Sequence, residues 1–153
     1  MFNKFTHDLM MDIGILFMRV MIGTVFLFHG GQKLFGLWDG SGLGNFAAFL
    51  ENLGLPYPAV AAVLAGTAEF LGGISLITGI WMRFSIVPLL VTMGVAIVYV
   101  HPNSFSMQEN GMEYPLTLAG VLLGLLLTGP GSFHPSVLFT PRRVMVMSEP
   151  VEA

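Results

Sequence analysis

The sequence predicts an all-α membrane protein: a bundle of four transmembrane helices, with an amphipathic helix in the outer interface between helices 1 and 2. Hydrophobic residues make up 54% of the 153 residues and charged residues only 10%, whereas about a quarter of an ordinary soluble domain is charged. The mean hydropathy is +0.78. Because one span takes about 20 mainly apolar residues, four spans use most of the chain, and we expect a single membrane domain over residues 1–153.

Four apolar stretches define the predicted spans. Their expected bounds are about 13–35, 58–81, 83–101 and 114–128, with tails at 1–12 and 129–153. The first stretch contains Arg19 and lacks a small-x-small cleavage site, so we expect a retained helix rather than a signal peptide. The fourth is short for a span, and its flanking residues Glu113, Tyr114 and Thr128 are expected to lie at headgroup depth.

Basic residues predict the orientation of the bundle, because cytoplasmic loops carry an excess of Lys and Arg. Both termini are expected in the cytoplasm, and Lys33 then falls alone on the outer side. The basic residues of the cytoplasmic side are Lys4, Arg83, Arg142 and Arg143. A very short turn at 79–83 joins helices 2 and 3 into a hairpin. The outer loop 36–58 is predicted to form the amphipathic helix. Its apolar residues at helical spacing are Phe46, Phe49, Leu50 and Leu53.

Composition excludes several classes of function. A net charge of −3 that is scattered along the chain does not favour a nucleic acid partner. The chain has no cysteine, which excludes disulfide exchange, a thiolate-bound iron–sulfur cluster and a cysteine nucleophile on this chain. Redox chemistry would therefore need a bound cofactor.

Small residues predict the packed faces, since they let membrane helices approach closely. Helix 1 carries a stripe at spacings of three and four, formed by Arg19, Gly23, Phe26, Gly30 and Lys33. Helix 2 places Gly66, Glu69 and Gly73 on one face, and helix 4 has a GxxxG pair, Gly120 and Gly124. These glycines are expected to locate helix contacts rather than chemistry.

A buried ion pair between Arg19 and Glu69 is predicted from depth. Counting about 1.5 Å of rise per residue from the inner helix ends brings the two side chains within reach of each other. An unpaired charge inside the membrane is strongly unfavourable. The pair either locks helix 1 to helix 2 or takes part in binding or proton transfer, and both interpretations stay open.

A polar cluster is predicted at the outer ends of three helices. Its members are His29, Lys33, His101 and Glu113. Together they would hydrogen-bond a quinone and relay its protons, between aromatic walls from Phe26, Phe28, Phe35, Trp38 and Tyr114. The alternative is that each residue only marks the interface. A haem between His29 and His101, or a metal bound by both with Glu113, is disfavoured because two isolated histidines form no spacing motif.

The sequence resembles the DoxX-like family of small membrane proteins. The resemblance covers about residues 14–139 and rests on motifs rather than on composition. The motifs are Arg19, His29-Gly30-Gly31-Gln32-Lys33-Leu34-Phe35-Gly36, Gly54-Leu55-Pro56, Glu69-Phe70-Leu71-Gly72-Gly73, Arg83, His101, Glu113-Tyr114 and Gly129-Pro130-Gly131. The resemblance implies a four-helix protein of a bacterial or archaeal inner membrane, related to the membrane subunit of thiosulfate:quinone oxidoreductase. That enzyme passes electrons from a reduced sulfur compound to quinone.

Two functions follow as expectations. The first is a quinone-interacting component of a membrane oxidoreductase, with membrane lipid and quinone as its small partners and a second subunit or a further copy of the chain as its protein partner. The second is a non-catalytic accessory subunit of a larger membrane complex. A transporter ranks last because four helices without an inverted repeat make a poor carrier. An open apolar cavity at the polar cluster favours the first function, and a filled volume favours the second.

Overall fold

The structure is a computed structural model that describes residues 4–135. The secondary-structure elements of these residues are all helical. They are α1 (Lys4–Phe35), α2 (Gly42–Asn52), α3 (Pro58–Thr78), α4 (Met82–Val95), a π-helical turn (Ala96–Val100), a 3₁₀ turn (Met107–Glu109) and α5 (Glu113–Thr128). In that range α1, α3 and α4 with its π-helical turn are long and apolar enough to cross a membrane, while α5 is shorter. The predicted helical membrane bundle is confirmed. Arg142 and Arg143 lie outside the described residues.

Helix α1 begins at Lys4, well before the predicted start near residue 13. Its 32 residues reach about 48 Å at 1.5 Å per residue, whereas the hydrocarbon core is about 30 Å thick. The prediction set the boundary at the first apolar residues. Residues 4–12 contain neither glycine nor proline, so nothing ends the helix where the polar residues begin, and α1 extends beyond the hydrocarbon core.

Helices α1 and α3 run antiparallel with their backbones in contact. A Cβ added to Gly30 would lie 2.4 Å from the backbone nitrogen of Phe70, and one added to Gly73 would lie 2.5 Å from that of Leu27. The glycines predicted on these two helices therefore do mark a packed interface. The α5 glycines behave differently, because a Cβ at Gly120 or Gly124 would meet nothing within 4 Å. The described chain does not pack on that GxxxG pair.

Helices α3 and α4 form the predicted tight hairpin. Gly79 ends α3 in the left-handed conformation, with φ 77°, and Trp81 precedes α4 with φ 51°. Near this turn the helices touch closely, since a Cβ on Gly72 would lie 2.8 Å from the side chain of Leu89. The hydrophobic core fills the same half of the bundle. Its buried members include Ile15, Leu76, Met82, Ile86, Leu122 and Leu125.

Helix α2 packs on α1 and α3 at the opposite end of the bundle, as the amphipathic pattern of residues 46–53 predicts. Of the four predicted apolar positions, Leu50 is buried and Phe46 and Leu53 are half-buried, whereas Phe49 is exposed, contrary to the pattern. The loop that follows His101 lies at this end too. We call it the α2 end and the other the hairpin end. The predicted orientation, with the α2 end facing outward, stays a prediction.

Candidate functional site

At the α2 end the helices surround an apolar cavity of about 710 Å³, a size typical of small-molecule sites, which run from roughly 300 to 1,000 Å³. All five α-helices and the π-helical turn contribute to its lining. Phe26, Met93 and Leu118 are shared between the cavity wall and the hydrophobic core. The bundle is therefore packed solid near the hairpin and hollow near α2.

The cavity opens sideways between α3 and α4. Leu64 of α3 and Val87 and Val91 of α4 line it, yet they are 64%, 54% and 63% exposed. The facing residues of α3 at this gap are small, namely Ala61, Ala65 and Ala68. Because these positions belong to helices long and apolar enough to cross a membrane, we expect the opening to face lipid rather than water.

The polar wall of the cavity is an ion pair between Lys33 of α1 and Glu69 of α3. The Lys33 Nζ lies 2.5 Å from each carboxylate oxygen of Glu69. The Glu69 side chain is 2% exposed and that of Lys33 is 25% exposed. Nζ also lies 5.3 Å from the centroid of the Phe46 ring on α2, within the range of a cation–π contact. The pair thus joins three helices at one point.

The predicted Arg19–Glu69 ion pair is wrong. Arg19 donates instead to backbone carbonyls, from Nε to Leu76 and from Nη2 to Ile77, at 3.0 and 3.1 Å. Leu76 is seven positions beyond Glu69, a rise of about 10 Å along α3. The last carbonyls of a helix lack intrahelical donors, so the guanidinium finds acceptors at the end of α3, while Lys33 lies closer to the carboxylate.

Arg19 also secures the segment that follows α5. Its Nη1 donates to the carbonyls of Pro130, at 2.5 Å, and Phe133, at 3.0 Å. Asp12 of α1 accepts a hydrogen bond from the backbone N–H of Ser132 at 3.2 Å. Arg19 is fully buried, and each of these contacts is at the hairpin end. The residue holds α1, α3 and the end of α5 together and does not reach the cavity.

His101 lines the cavity directly after the π-helical turn. Its backbone N–H donates to the Ala96 carbonyl at 2.9 Å, and its ring Nδ1 lies 2.8 Å from the Asn110 carbonyl oxygen. Because a carbonyl oxygen only accepts, Nδ1 carries the proton, which leaves Nε2 free of that bond. Ala96 and Val100 of the turn also line the cavity, and π-helical turns are frequent at functional sites.

His29 lines the cavity as well and makes aromatic contacts with its neighbours. Its ring lies edge-on to those of Phe28 and Tyr114, with centroids 5.6 and 6.4 Å apart. Tyr114, at the start of α5, is itself part of the cavity wall. His29, Lys33 and His101 therefore line the same cavity.

Glu113 is not part of the cavity wall, contrary to the prediction. Its carboxylate accepts the backbone N–H of Met107 at 2.8 Å, which fixes the loop before α5. Glu69 supplies the carboxylate of the cavity in its place. Gly30 packs against Phe70 and Gly66 lies near the Lys33 Cβ, so the Lys33 backbone is about one turn of α3 away from Glu69 and its long side chain spans that distance.

The predicted aromatic walls are partly correct. Phe26 and Tyr114 line the cavity, whereas Phe28, Phe35 and Trp38 do not. Phe28 stacks on Trp38 with centroids 4.9 Å apart, and Phe35 meets Phe70 edge-on at 5.2 Å. Within residues 4–135, no three His, Asp or Glu side chains are grouped so that they could hold a metal ion.

The fold and the cavity define a multi-pass helical membrane protein with an apolar cavity that opens between α3 and α4 and has an ion pair at its polar wall. The DoxX family profile matches residues 14–102. The chain therefore belongs to the DoxX family.

Three bacterial proteins are similar to this chain over most of its length. The membrane protein Rv3486 of Mycobacterium tuberculosis is 34% identical over 128 residues, 76% of each chain. The inner membrane protein YphA of Escherichia coli is 26% identical, over 77% of this chain and 84% of YphA. The Bacillus subtilis protein named "Putative oxidoreductase CatD" is 28% identical, over 74% of this chain and 79% of CatD. No solved structure matches this chain significantly.

Proposed function

We propose that this chain binds a quinone in the apolar cavity and acts as the quinone-interacting component of a membrane oxidoreductase. The observation that carries the proposal is one lipid-facing cavity in which apolar walls surround Lys33, Glu69 and His101. A quinone is a flat apolar ring with two carbonyl oxygens, so it suits an apolar space with a few polar groups. The name of the CatD relative agrees with this chemistry.

Lys33 and His101 would take different parts in binding. The Lys33 ammonium is held beside Glu69, so a quinone carbonyl would meet a donor whose charge is already balanced. For His101, a neutral ring with its Nδ1 proton on Asn110 offers Nε2 as an acceptor for a quinol hydroxyl. A protonated ring would instead donate from Nε2 to a quinone carbonyl. The same side chain thus suits both redox forms.

The gap between α3 and α4 would hold the hydrocarbon tail of the quinone. Leu64, Val87 and Val91 are both part of the cavity wall and exposed, so a chain that leaves the cavity there would pass directly into the lipid. Small alanines on the facing side of α3 leave room for it. A quinone would then enter from the bilayer without crossing water.

Electrons would come from another subunit. Reduction of a quinone to a quinol takes two electrons and two protons, and this chain has no cysteine to hold an iron–sulfur cluster. We propose that a partner subunit or a further copy of this chain completes the enzyme, in an inner membrane with both termini of this chain in the cytoplasm. On that orientation the α2 end faces outward.

A second candidate function is the accessory subunit, and the α5 surface favours it. Gly120 and Gly124 form a GxxxG pair that the described chain leaves uncovered, and such pairs often mark helix contacts. Under this function the partner helix would cover α5 and the cavity would hold lipid. Quinone binding to the isolated chain separates the two functions.

The experiment is equilibrium binding of a long-chain quinone to the purified chain in nanodiscs, with photolabelling to locate the site. His101→Ala and Lys33→Ala should each weaken binding by about tenfold or more, since each removes a polar contact worth at least 1.4 kcal/mol. Matched controls are His7→Ala, an exposed histidine at the hairpin end, and Glu113→Gln, outside the cavity. Unchanged affinity in both cavity variants, or no binding by the unaltered chain, would reject the quinone site.

A further inference from the structure

Lys33 lies between two spaces of different character. It lines the apolar cavity, and it also lines a second pocket of about 460 Å³ between the end of α1, the turn at 39–41 and α2. Phe46 and Phe49 border both spaces as well. The remaining residues of the second pocket are Gln32, Asp39, Gly40 and Ser41. Gln32, Asp39 and Ser41 give this pocket polar side chains beside Lys33, whereas the cavity that Lys33 also borders is lined mostly by apolar residues.

The turn that carries Asp39 is folded back onto the end of α1. A Cβ on Gly40 would lie 2.5 Å from the Cα of Gln32, and the Gly40 N–H donates to the Leu37 carbonyl at 2.9 Å. Trp38 and Asp39 both have positive φ, 51° and 59°, which is an uncommon conformation for residues other than glycine and often accompanies function. The backbone therefore holds Asp39 beside the pocket at some conformational cost.

The two members of the ion pair differ in their access to solvent. Glu69 is 2% exposed and Lys33 is 25% exposed, so Lys33 is the more accessible member of the pair. The other titratable groups around the pair are His29 on α1, His101 after α4 and Tyr114 on α5, and all three lie on the cavity side. Asp39 is the titratable residue of the second pocket besides Lys33.

We propose that the second pocket is an aqueous access route through which the Lys33–Glu69 pair exchanges protons with the solution at the α2 end. Water in the pocket would take a proton from the pair and pass it to Asp39 or to bulk solvent, and the reverse path would return it. No electron moves in this exchange. The inference rests on the proposed function, because a quinone in an apolar cavity that opens only toward lipid needs a path to water for its protons.

The absence of cysteine makes the chain a clean background for thiol labelling in proteoliposomes. Three single cysteine variants report on three places. Lys33→Cys lies at the boundary between the two spaces, Ser41→Cys lies at the rim of the second pocket, and Ala65→Cys lies in the cavity wall. A membrane-impermeant cationic methanethiosulfonate added at the α2 end should modify the first two, and should modify the Ala65→Cys variant about tenfold more slowly or worse. Adding Ser41→Trp to fill the pocket should slow the Lys33→Cys reaction by about tenfold.

Charge at Asp39 gives a second readout. The cationic reagent should react with the Lys33→Cys variant faster than an anionic one of similar size, and Asp39→Asn should reduce that preference. Glu51→Gln removes an exposed acid of α2 that does not line the pocket, and it should leave the preference unchanged. If Lys33→Cys does not fold, acetylation of native Lys33 by an impermeant ester measures the same access.

The access route would be overturned if the Lys33→Cys variant reacted only with a membrane-permeant thiol reagent. It would also be overturned if Ser41→Trp left the reaction rate of that variant unchanged. Labelling needs no quinone, so its result is independent of the binding experiment. An accessible Lys33 in a chain that binds no quinone would reject the proposed function and keep the route. An inaccessible Lys33 in a chain that binds quinone would do the reverse.

Discussion

Lys33 and Glu69 form an ion pair that closes the polar side of an otherwise apolar cavity. Each carboxylate oxygen of Glu69 lies 2.5 Å from the Lys33 Nζ, and Phe46 covers the ammonium from α2. Inside a membrane bundle a lone charge is strongly unfavourable, so each residue depends on the other. Because α1 contributes one partner and α3 the other, the pair also fixes the position of the two helices at the end where the bundle is hollow.

Removing one partner should therefore destabilise the protein more than removing both. Lys33→Met leaves the Glu69 carboxylate buried without a cation, and we expect a loss of about 3 to 5 kcal/mol in the free energy of unfolding. The double variant Lys33→Met/Glu69→Leu should recover part of that loss. Reversible unfolding in mixed micelles measures both. A double variant less stable than Lys33→Met would contradict the mutual dependence of the pair.

The coupling free energy between side chains distinguishes the observed Lys33–Glu69 pair from the Arg19–Glu69 pair that depth along the helices predicts. In double-mutant cycles, Lys33 and Glu69 should show a coupling above about 1 kcal/mol, while Arg19 and Glu69 should add within about 0.5 kcal/mol. Arg19→Ala should still be destabilising by itself, because the carbonyls of Leu76, Ile77 and Phe133 lose their donor. A strong Arg19–Glu69 coupling would show that the side chains meet in the membrane after all.

The sequence alone predicts some of these contacts and misses others. Hydropathy predicts the spans and the glycines predict the α1–α3 contact, because both patterns depend on local composition. The pairing of Glu69 does not follow from depth counted from the helix ends, since α1 continues to Lys4 and the true register is set by Gly30 against Phe70. Nor does any residue pattern predict the π-helical turn (Ala96–Val100) that precedes His101.

Glycine substitutions test the register directly. A Cβ on Gly30 would lie 2.4 Å from the backbone of Phe70, so Gly30→Ala forces α1 and α3 apart and should cost about 1 to 3 kcal/mol or more. Gly120→Ala is the matched control, because its Cβ would meet nothing within 4 Å. Alanine is the better helix former by about 1 kcal/mol, so the control should be neutral or stabilising. Unfolding free energies of the two variants, measured side by side, give the answer. Equal losses would mean that Gly120 is packed, as it would be if a second helix covered α5.

The gap between α3 and α4 should decide which quinones bind. Ala65→Phe places a large side chain in the wall where the hydrocarbon tail would leave the cavity, so affinity for a long-chain quinone should fall by about tenfold. A tailless analogue should bind nearly as before, because its ring would lie at the polar wall, beside Lys33 and His101. Leu71→Phe is the control, since Leu71 is on the same helix, is exposed and does not line the cavity. Equal losses for both ligands in Ala65→Phe would mean that the ring itself occupies the gap. The tail would then leave the cavity elsewhere.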